Sequence, residues 1–122
     1  MLAKASYALD DLDEADRWCA TSEDAAAADD LAAQIEWRAV RAKVMARRGA
    51  PEDAVALARE AVGIAERTDF VTIHGDACVD LAETLELAGR SDEAQEALRR
   101  ALDLYERKGN LVSAERARSR LR

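Results

Sequence analysis

The sequence predicts an all-α fold, in which antiparallel helix hairpins stack side by side as an α-solenoid of about three units and six to seven helices. Two observations predict it: the sequence repeats at an interval of about forty residues, and apolar residues recur every three or four positions. The low content of helix breakers, one Pro and five Gly in 122 residues, agrees with long helices. Because repeated hairpins bury their apolar faces only against one another, we expect a continuous stack.

The repeat is clearest between the second and third units. Residues 48–54 align with residues 88–94, and the same alignment brings Ala54 over Ala94 and Ala61 over Ala101. A shift of about thirty-nine positions aligns residues 10–15 with residues 49–54. We therefore divide one domain, residues 1–122, into units at about 1–28, 30–68 and 69–109, followed by a terminal helix at 110–122.

Each unit is expected to contain two helices. In the first helix of the third unit, Ile73, Ala77, Leu81 and Leu85 form an apolar stripe of the width that a core-facing helix needs. The predicted helices cover residues 13–27, 31–48, 51–67, 70–88, 91–108 and 111–121, preceded by a partial helix at 2–9, and no strands are predicted. Short loops make successive helices antiparallel neighbours.

Local signals set the predicted helix ends. Gly49 and Gly89 are expected just beyond helix C-termini, and Pro51 at the first position of a helix, where its missing N–H costs nothing. Four polar residues are predicted as N-caps, whose side chains accept a hydrogen bond from the first turn: Asp30, Asp69, Ser91 and Asn110.

The net charge of −7 is concentrated at one end of the chain. Residues 1–34 carry nine acidic and two basic residues, whereas residues 35–122 carry sixteen of each. This distribution offers no general positive field for a phosphate backbone, so we expect no nucleic-acid binding. No signal peptide and no apolar run of about 18 residues is found, so we expect no membrane segment. Cys19 and Cys78 lie far apart and predict reduced thiols in a cytoplasmic protein.

When Ala94 is set on the small residue that opens the second helix of a repeat, the sequence resembles the tetratricopeptide-repeat family over nearly its whole length. Signature positions of large and small residues are then occupied by Cys78, Leu81, Ala82 and Leu85 in the first helix, and by Leu98 and Ala101 in the second. The resemblance implies a right-handed superhelical stack with a ligand-binding concave face formed by first helices. The period of about forty exceeds the usual 34 or so, and Cys78 and Arg41 stand where Trp and Leu are usual.

Residues 36–43, 87–90 and 104–110 resemble the C-terminal helical-repeat segments of large actinobacterial regulators. In such regulators an ATPase module and a nucleotide-cyclase or transcription-factor module precede the repeats, but this sequence has no phosphate-binding loop with the Gly-Lys-Ser/Thr ending. Met1 falls partway into an expected first helix. The resemblance therefore implies a fragment of a larger signalling or transcriptional regulator.

No catalytic residue, metal site or cofactor is predicted. His74 and Cys78 are four residues apart and could supply two metal ligands, but a site needs three or four, and the chain has no other His. The same pair lacks the oxyanion donor and pocket that nucleophilic catalysis requires. We expect His74 near a helix start, Cys78 in the core, and Trp18 and Trp37 as packing anchors in the core.

The densest basic cluster comprises Arg38, Arg41, Lys43, Arg47 and Arg48, with no acidic residue between them. In one interpretation these cations pair with the acidic N-terminal unit and with Glu52 and Asp53. In the other they contact an anion or acidic peptide on the concave face. The positions expected to face that surface are Glu36, Lys43 and Arg47 on one helix and Asp76, Glu83 and Glu86 on the next.

These features favour a non-enzymatic protein-interaction module that binds a peptide or a neighbouring domain on its concave face. A groove with separate positive and negative regions favours an extended peptide over a nucleic acid. The alternative is a structural element that forms a homodimer through an uncapped N-terminal end, which light scattering would distinguish. An enzyme is the third alternative, and no motif supports it.

Overall fold

A computed structural model describes residues 11–25 and 30–121, and over these ranges the chain is helical, with no strand. The described residues form six successive helices, α1 (Leu12–Ala25), α2 (Leu31–Arg47), α3 (Pro51–Glu66), α4 (Val71–Leu87), α5 (Ser91–Lys108) and α6 (Leu111–Arg120). The prediction of an all-α fold is confirmed. The helix ends expected within these ranges agree to one residue or better, whereas the partial helix at 2–9 and the end at residue 27 lie outside the described residues.

Two of the predicted N-caps are confirmed. The Asp30 carboxylate accepts a hydrogen bond from the Ala33 backbone N–H at 3.1 Å, and the Asn110 side chain accepts one from Ser113 at 3.2 Å. Each bond satisfies a backbone donor that the first turn leaves without a helical partner. Sequence and structure therefore agree on where α2 and α6 begin.

The other two predicted N-caps are wrong. Phe70 occupies the N-cap position of α4, and the Thr68 hydroxyl accepts the Phe70 N–H at 3.1 Å, so Asp69 lies one residue too early. Ser91 is the first residue of α5, and Arg90 is its N-cap. Asp92 and Glu93 do lie in the first turn of α5, where negative charge favours the positive end of the helix dipole.

The turns after α2 and α4 use the predicted glycines. Gly49 and Gly89 have φ angles of 88° and 76°, in the left-handed region that side chains with a Cβ rarely adopt. Pro51 then occupies the first turn of α3, where no backbone donor is lost. These short turns bring consecutive helices into contact, and α2 also contacts α4.

The core lies between α2, α3, α4 and α5. Leu81, Leu85 and Leu98, which the apolar stripes predict to be internal, are all buried. Between them are fully buried alanines, including Ala42, Ala82 and Ala94 in the same cluster. Small residues at these positions let the helices approach closely, and the leucines fill the remaining space.

The two tryptophans differ. Trp37 is 7 % exposed, and the Arg38 guanidinium carbon lies 4.3 Å from its ring centroid, so its prediction as a core residue is confirmed. Trp18 is 36 % exposed, and its prediction is wrong. Ala15 and Cys19 form the buried stripe of α1, and Trp18 lies at the edge of that stripe.

None of the described helices combines the length and apolar character needed to cross a lipid bilayer.

Candidate functional site: a groove along α2, α4 and α6

Two clefts open between the first helices of successive predicted units. A small cleft of about 90 Å³ lies between α2 and α4, and a larger one of about 520 Å³ lies where α4, α5 and α6 meet. Asp76 and Asp80 of α4 line both clefts, so the two are adjacent, and we call them together the α2–α4–α6 groove. Its other lining residues are Ala32, Ile35, Glu36, Ala39, Ile73 and Ala77 in the small cleft and Val79, Tyr105, Ser113, Arg116, Ala117, Ser119 and Arg120 in the larger one.

A buried ion pair joins α2 to α4 beneath the groove. The Lys43 ammonium donates to a carboxylate oxygen of Asp80 at 2.9 Å, and the two side chains are only 8 % and 13 % exposed. In a setting with little water, a charge keeps its form only if an opposite charge and hydrogen bonds replace its hydration. Lys43 therefore holds Asp80 in place, and the Lys43 charge is itself neutralised by this carboxylate.

Asp76 also accepts a hydrogen bond from a buried side chain of the protein. The Tyr105 hydroxyl of α5 donates to its carboxylate at 2.5 Å, and burial, together with this hydrogen bond, raises the pKa of Tyr105. The Tyr105 ring packs so closely on Gly75 that a Cβ there would lie 2.6 Å from the ring atom Cε1. Gly75 thus allows the contact that positions the Asp76 carboxylate.

At the α6 end of the groove the charge is positive. Arg116 and Arg120 lie one helical turn apart and both line the larger cleft. Across residues 11–25 and 30–121 no hydrogen bond or ion pair of either guanidinium is found, whereas Arg118 pairs with Glu106 and Glu115. The sequence analysis missed these two residues, although their four-residue spacing in the terminal helix was a usable signal.

The six residues expected on the concave face are only partly brought together. Glu36 and Asp76 line the α2–α4–α6 groove, and Lys43 lies beneath it. Among the described residues, Arg47, Glu83 and Glu86 line neither cleft, and each of the three has an interaction partner.

The basic cluster on α2 is mostly neutralised by other helices. Arg41 pairs with Glu23 at 2.7 Å and with Asp16 at 3.5 Å, and Arg48 also pairs with acids of α1. Pairing with the N-terminal unit is therefore confirmed for these two cations. Glu52, expected to pair with the cluster, instead lies 3.8 Å from Arg90.

No protein-family model matches this sequence. No curated protein and no solved structure shows significant similarity to the chain either. The function of the groove must therefore be argued from its own geometry and charge.

The two thiols are poorly suited to chemistry. Cys19 and Cys78 are unpaired and buried, and burial raises the pKa of each to about 11. A reactive cysteine needs the opposite, a pKa lowered toward neutrality by nearby positive charge. Within the described part of the chain, no group of three or more His, Cys, Asp and Glu side chains is close enough to hold a metal ion.

His74 is a buried titratable group in the first turn of α4. Its Nε2 atom finds no hydrogen-bond partner among the described residues. Burial lowers the pKa of His74, Arg100 and Arg107 of α5 lower it further, and Glu66 of α3 acts in the opposite direction. The folded protein therefore favours the neutral imidazole.

This arrangement predicts a stability that falls with acidification. The pKa of His74 in the folded state lies below the ordinary histidine value of 6.5, so the unfolded chain binds the proton more readily. The neutral His74 contributes fully to the free energy of unfolding above pH 6.5. This contribution decreases as the pH falls below 6.5, because protonation then favours the unfolded chain. Urea denaturation between about pH 8 and pH 5 should show a shallower dependence in His74→Gln than in the wild type. Equal slopes in the two proteins would contradict the assignment.

Proposed function

We propose that this chain is a non-catalytic protein-interaction module of the tetratricopeptide type, which holds an extended segment of a partner protein along the α2–α4–α6 groove. The supporting observation is that Asp76 and Asp80 line both clefts, so that adjacent clefts follow one another across α2, α4 and α6. These helices are the first helices of successive sequence units, which form the concave face in a right-handed solenoid of antiparallel hairpins.

The charges of the groove favour a particular ligand polarity. Glu36 lies at the α2 end, Arg116 and Arg120 at the α6 end, and the central carboxylates are bonded to Lys43 and Tyr105. An extended peptide with a basic residue near α2 and an acidic residue near α6 would complement both ends. A nucleic acid, with phosphates along its whole length, would be repelled at the α2 end.

The small cleft favours a long basic side chain at that position. Its floor is apolar, formed by Ile35, Ala39 and Ala77, and its rim carries Glu36 and Asp76. The methylene groups of a lysine or arginine would lie on the floor while the charged end reaches the carboxylates. A volume of about 90 Å³ suits one such stem.

Other observations support a binding role over catalysis. The thiols are buried with raised pKa values, and the single histidine is buried in its neutral form. Free, buried cysteines also agree with a cytoplasmic protein. We place the module within a larger signalling or transcriptional regulator on the strength of its sequence resemblance to such repeats.

The proposal is tested by selecting binders from a displayed library of random peptides on the wild-type protein. The affinity of a selected peptide should fall about tenfold or more in Arg116→Glu/Arg120→Glu, because two attractive charges become repulsive. Arg118→Glu is the matched control, since Arg118 lies on the same helix, outside the groove, and pairs with Glu106 and Glu115. Unchanged affinity in the double variant for every selected peptide would reject the proposal.

A further inference from the structure

A second groove lies on a different face of α4, between α3 and α5. It has a volume of about 620 Å³ and is larger than either cleft of the α2–α4–α6 groove. Its floor is the buried side of α4, and its walls come from α3 and α5. The residues that line this α3–α5 groove are Cys78, Leu81 and Leu85 on the floor, Arg59 and Val62 on α3, and Glu93, Glu96, Ala97, Arg99 and Arg100 on α5.

At one end of the α3–α5 groove, the charged side chains pair with one another. Arg59 reaches across it to Glu93 at 2.9 Å, and Arg90 bonds the same carboxylate at 2.9 Å. These hydrogen bonds and charges, with Arg90 contributing most, hold the pKa of Glu93 below its usual range. Arg59, Arg90 and Glu93 are thus already paired with one another at this end.

The other end of the groove carries two neighbouring cations. Arg99 and Arg100 are adjacent, exposed and form no hydrogen bond or ion pair with residues of the described ranges. The positive charge of Arg100 acts on Cys78 in the floor, where it opposes the rise that burial causes in the pKa of the thiol. The same charge helps to lower the pKa of His74, which lies outside the groove lining. The groove thus combines an apolar floor with positive potential at one end.

We propose that the α3–α5 groove binds a short acidic, amphipathic segment of a partner protein. Its carboxylates would lie against Arg99 and Arg100, whose planar guanidinium groups match a carboxylate with two parallel hydrogen bonds. Its apolar side chains would lie against Val62 and Ala97. The α3–α5 groove shares no lining residue with the cleft that carries Arg116 and Arg120, and it does not depend on the α2–α4–α6 groove being a binding site.

Charge complementarity favours an acidic protein segment over a nucleic acid. Glu96 also lines the groove, and no ion pair of its side chain is found within the described part of the chain. A nucleic acid would bring phosphates past Glu93 and Glu96, whereas a peptide can place an apolar or neutral residue there.

The test is a second selection from a displayed library of random peptides, this time on the Arg116→Glu/Arg120→Glu protein, so that the α2–α4–α6 groove does not compete. We expect enriched peptides to combine Asp or Glu with Leu, Ile, Val or Phe. In fluorescence anisotropy, their affinity should fall about tenfold or more when Arg99→Glu/Arg100→Glu is added, and rise a few-fold with Glu96→Gln. Circular dichroism should show that these exposed substitutions leave the helices intact.

Three outcomes would overturn the inference. The first is enrichment of peptides that lack acidic residues, and the second is equal affinity with and without Arg99→Glu/Arg100→Glu. The third is a single-stranded RNA oligonucleotide that binds more tightly than any selected peptide and depends on the same two arginines. Because Arg116 and Arg120 are already replaced in this selection, its failure leaves the test of the α2–α4–α6 groove unaffected.

Discussion

Replacing Lys43 with methionine should lower the free energy of unfolding by about 3 to 5 kcal/mol. The substitution keeps most of the side-chain volume but removes the only charge bonded to Asp80 in the described structure. The Asp80 carboxylate would then be left in a setting that is 13 % exposed, without a cation to replace its hydration. The size of the loss comes from the stranded charge, because the intact pair itself contributes little net stability.

Chemical denaturation measures this effect, and two further variants identify its cause. Lys43→Met/Asp80→Leu should recover most of the lost stability, because both charges are then absent. Arg107→Met should change the free energy of unfolding by less than about 1 kcal/mol, since Arg107 and its partner Asp103 are both 62 % exposed. A small loss in Lys43→Met, comparable to that of Arg107→Met, would show that Asp80 is hydrated and that α2 and α4 are not joined as described.

Truncating Leu85 to alanine should cost about 2 to 5 kcal/mol. Leu85 is 1 % exposed and lies in the cluster that α2, α3, α4 and α5 share, so its removal opens a cavity at the centre of the protein. Thermal and urea denaturation of the purified variant would give the loss.

The matched control is Leu87→Ala, two residues away on the same helix. Leu87 is 44 % exposed, and we expect a change within about 0.5 kcal/mol. The pair tests the orientation of α4 directly, because a rotation of the helix about its axis would exchange the two results. Similar losses at both positions would be incompatible with the described core.

Much of the fold could be predicted because the signals are local. The stripe of Ile73, Ala77, Leu81 and Leu85 has a helical period, and Gly49 and Gly89 mark turns that need a left-handed backbone. Trp18 was predicted wrongly because burial at the edge of a stripe depends on how many neighbours a helix has. Among the described helices, α1 packs mainly on α2, so a side chain at the edge of its stripe stays partly exposed.

The candidate site was less predictable because its charges are set by long-range pairing. The sequence predicts that Lys43 and Asp76 lie on one face. It does not indicate that the Lys43 ammonium forms an ion pair with Asp80, 37 residues further along the chain. That contact depends on the register between two packed helices, which no local pattern encodes. Arg99 and Arg100 were likewise overlooked, because a cation without a partner is recognised only once its neighbours are known.

The fully buried alanines of the core have a consequence for both grooves. The side chains of Ala42, Ala82 and Ala94 are single methyl groups without alternative rotamers, so the helices are close at these positions and no side chain there can turn aside. A larger residue at position 82 could not be accommodated by turning a side chain, and α4 would have to move as one body. The helix α4 forms a wall of the α2–α4–α6 groove and the floor of the α3–α5 groove. A single methylene added at position 82 would therefore change the width of both grooves.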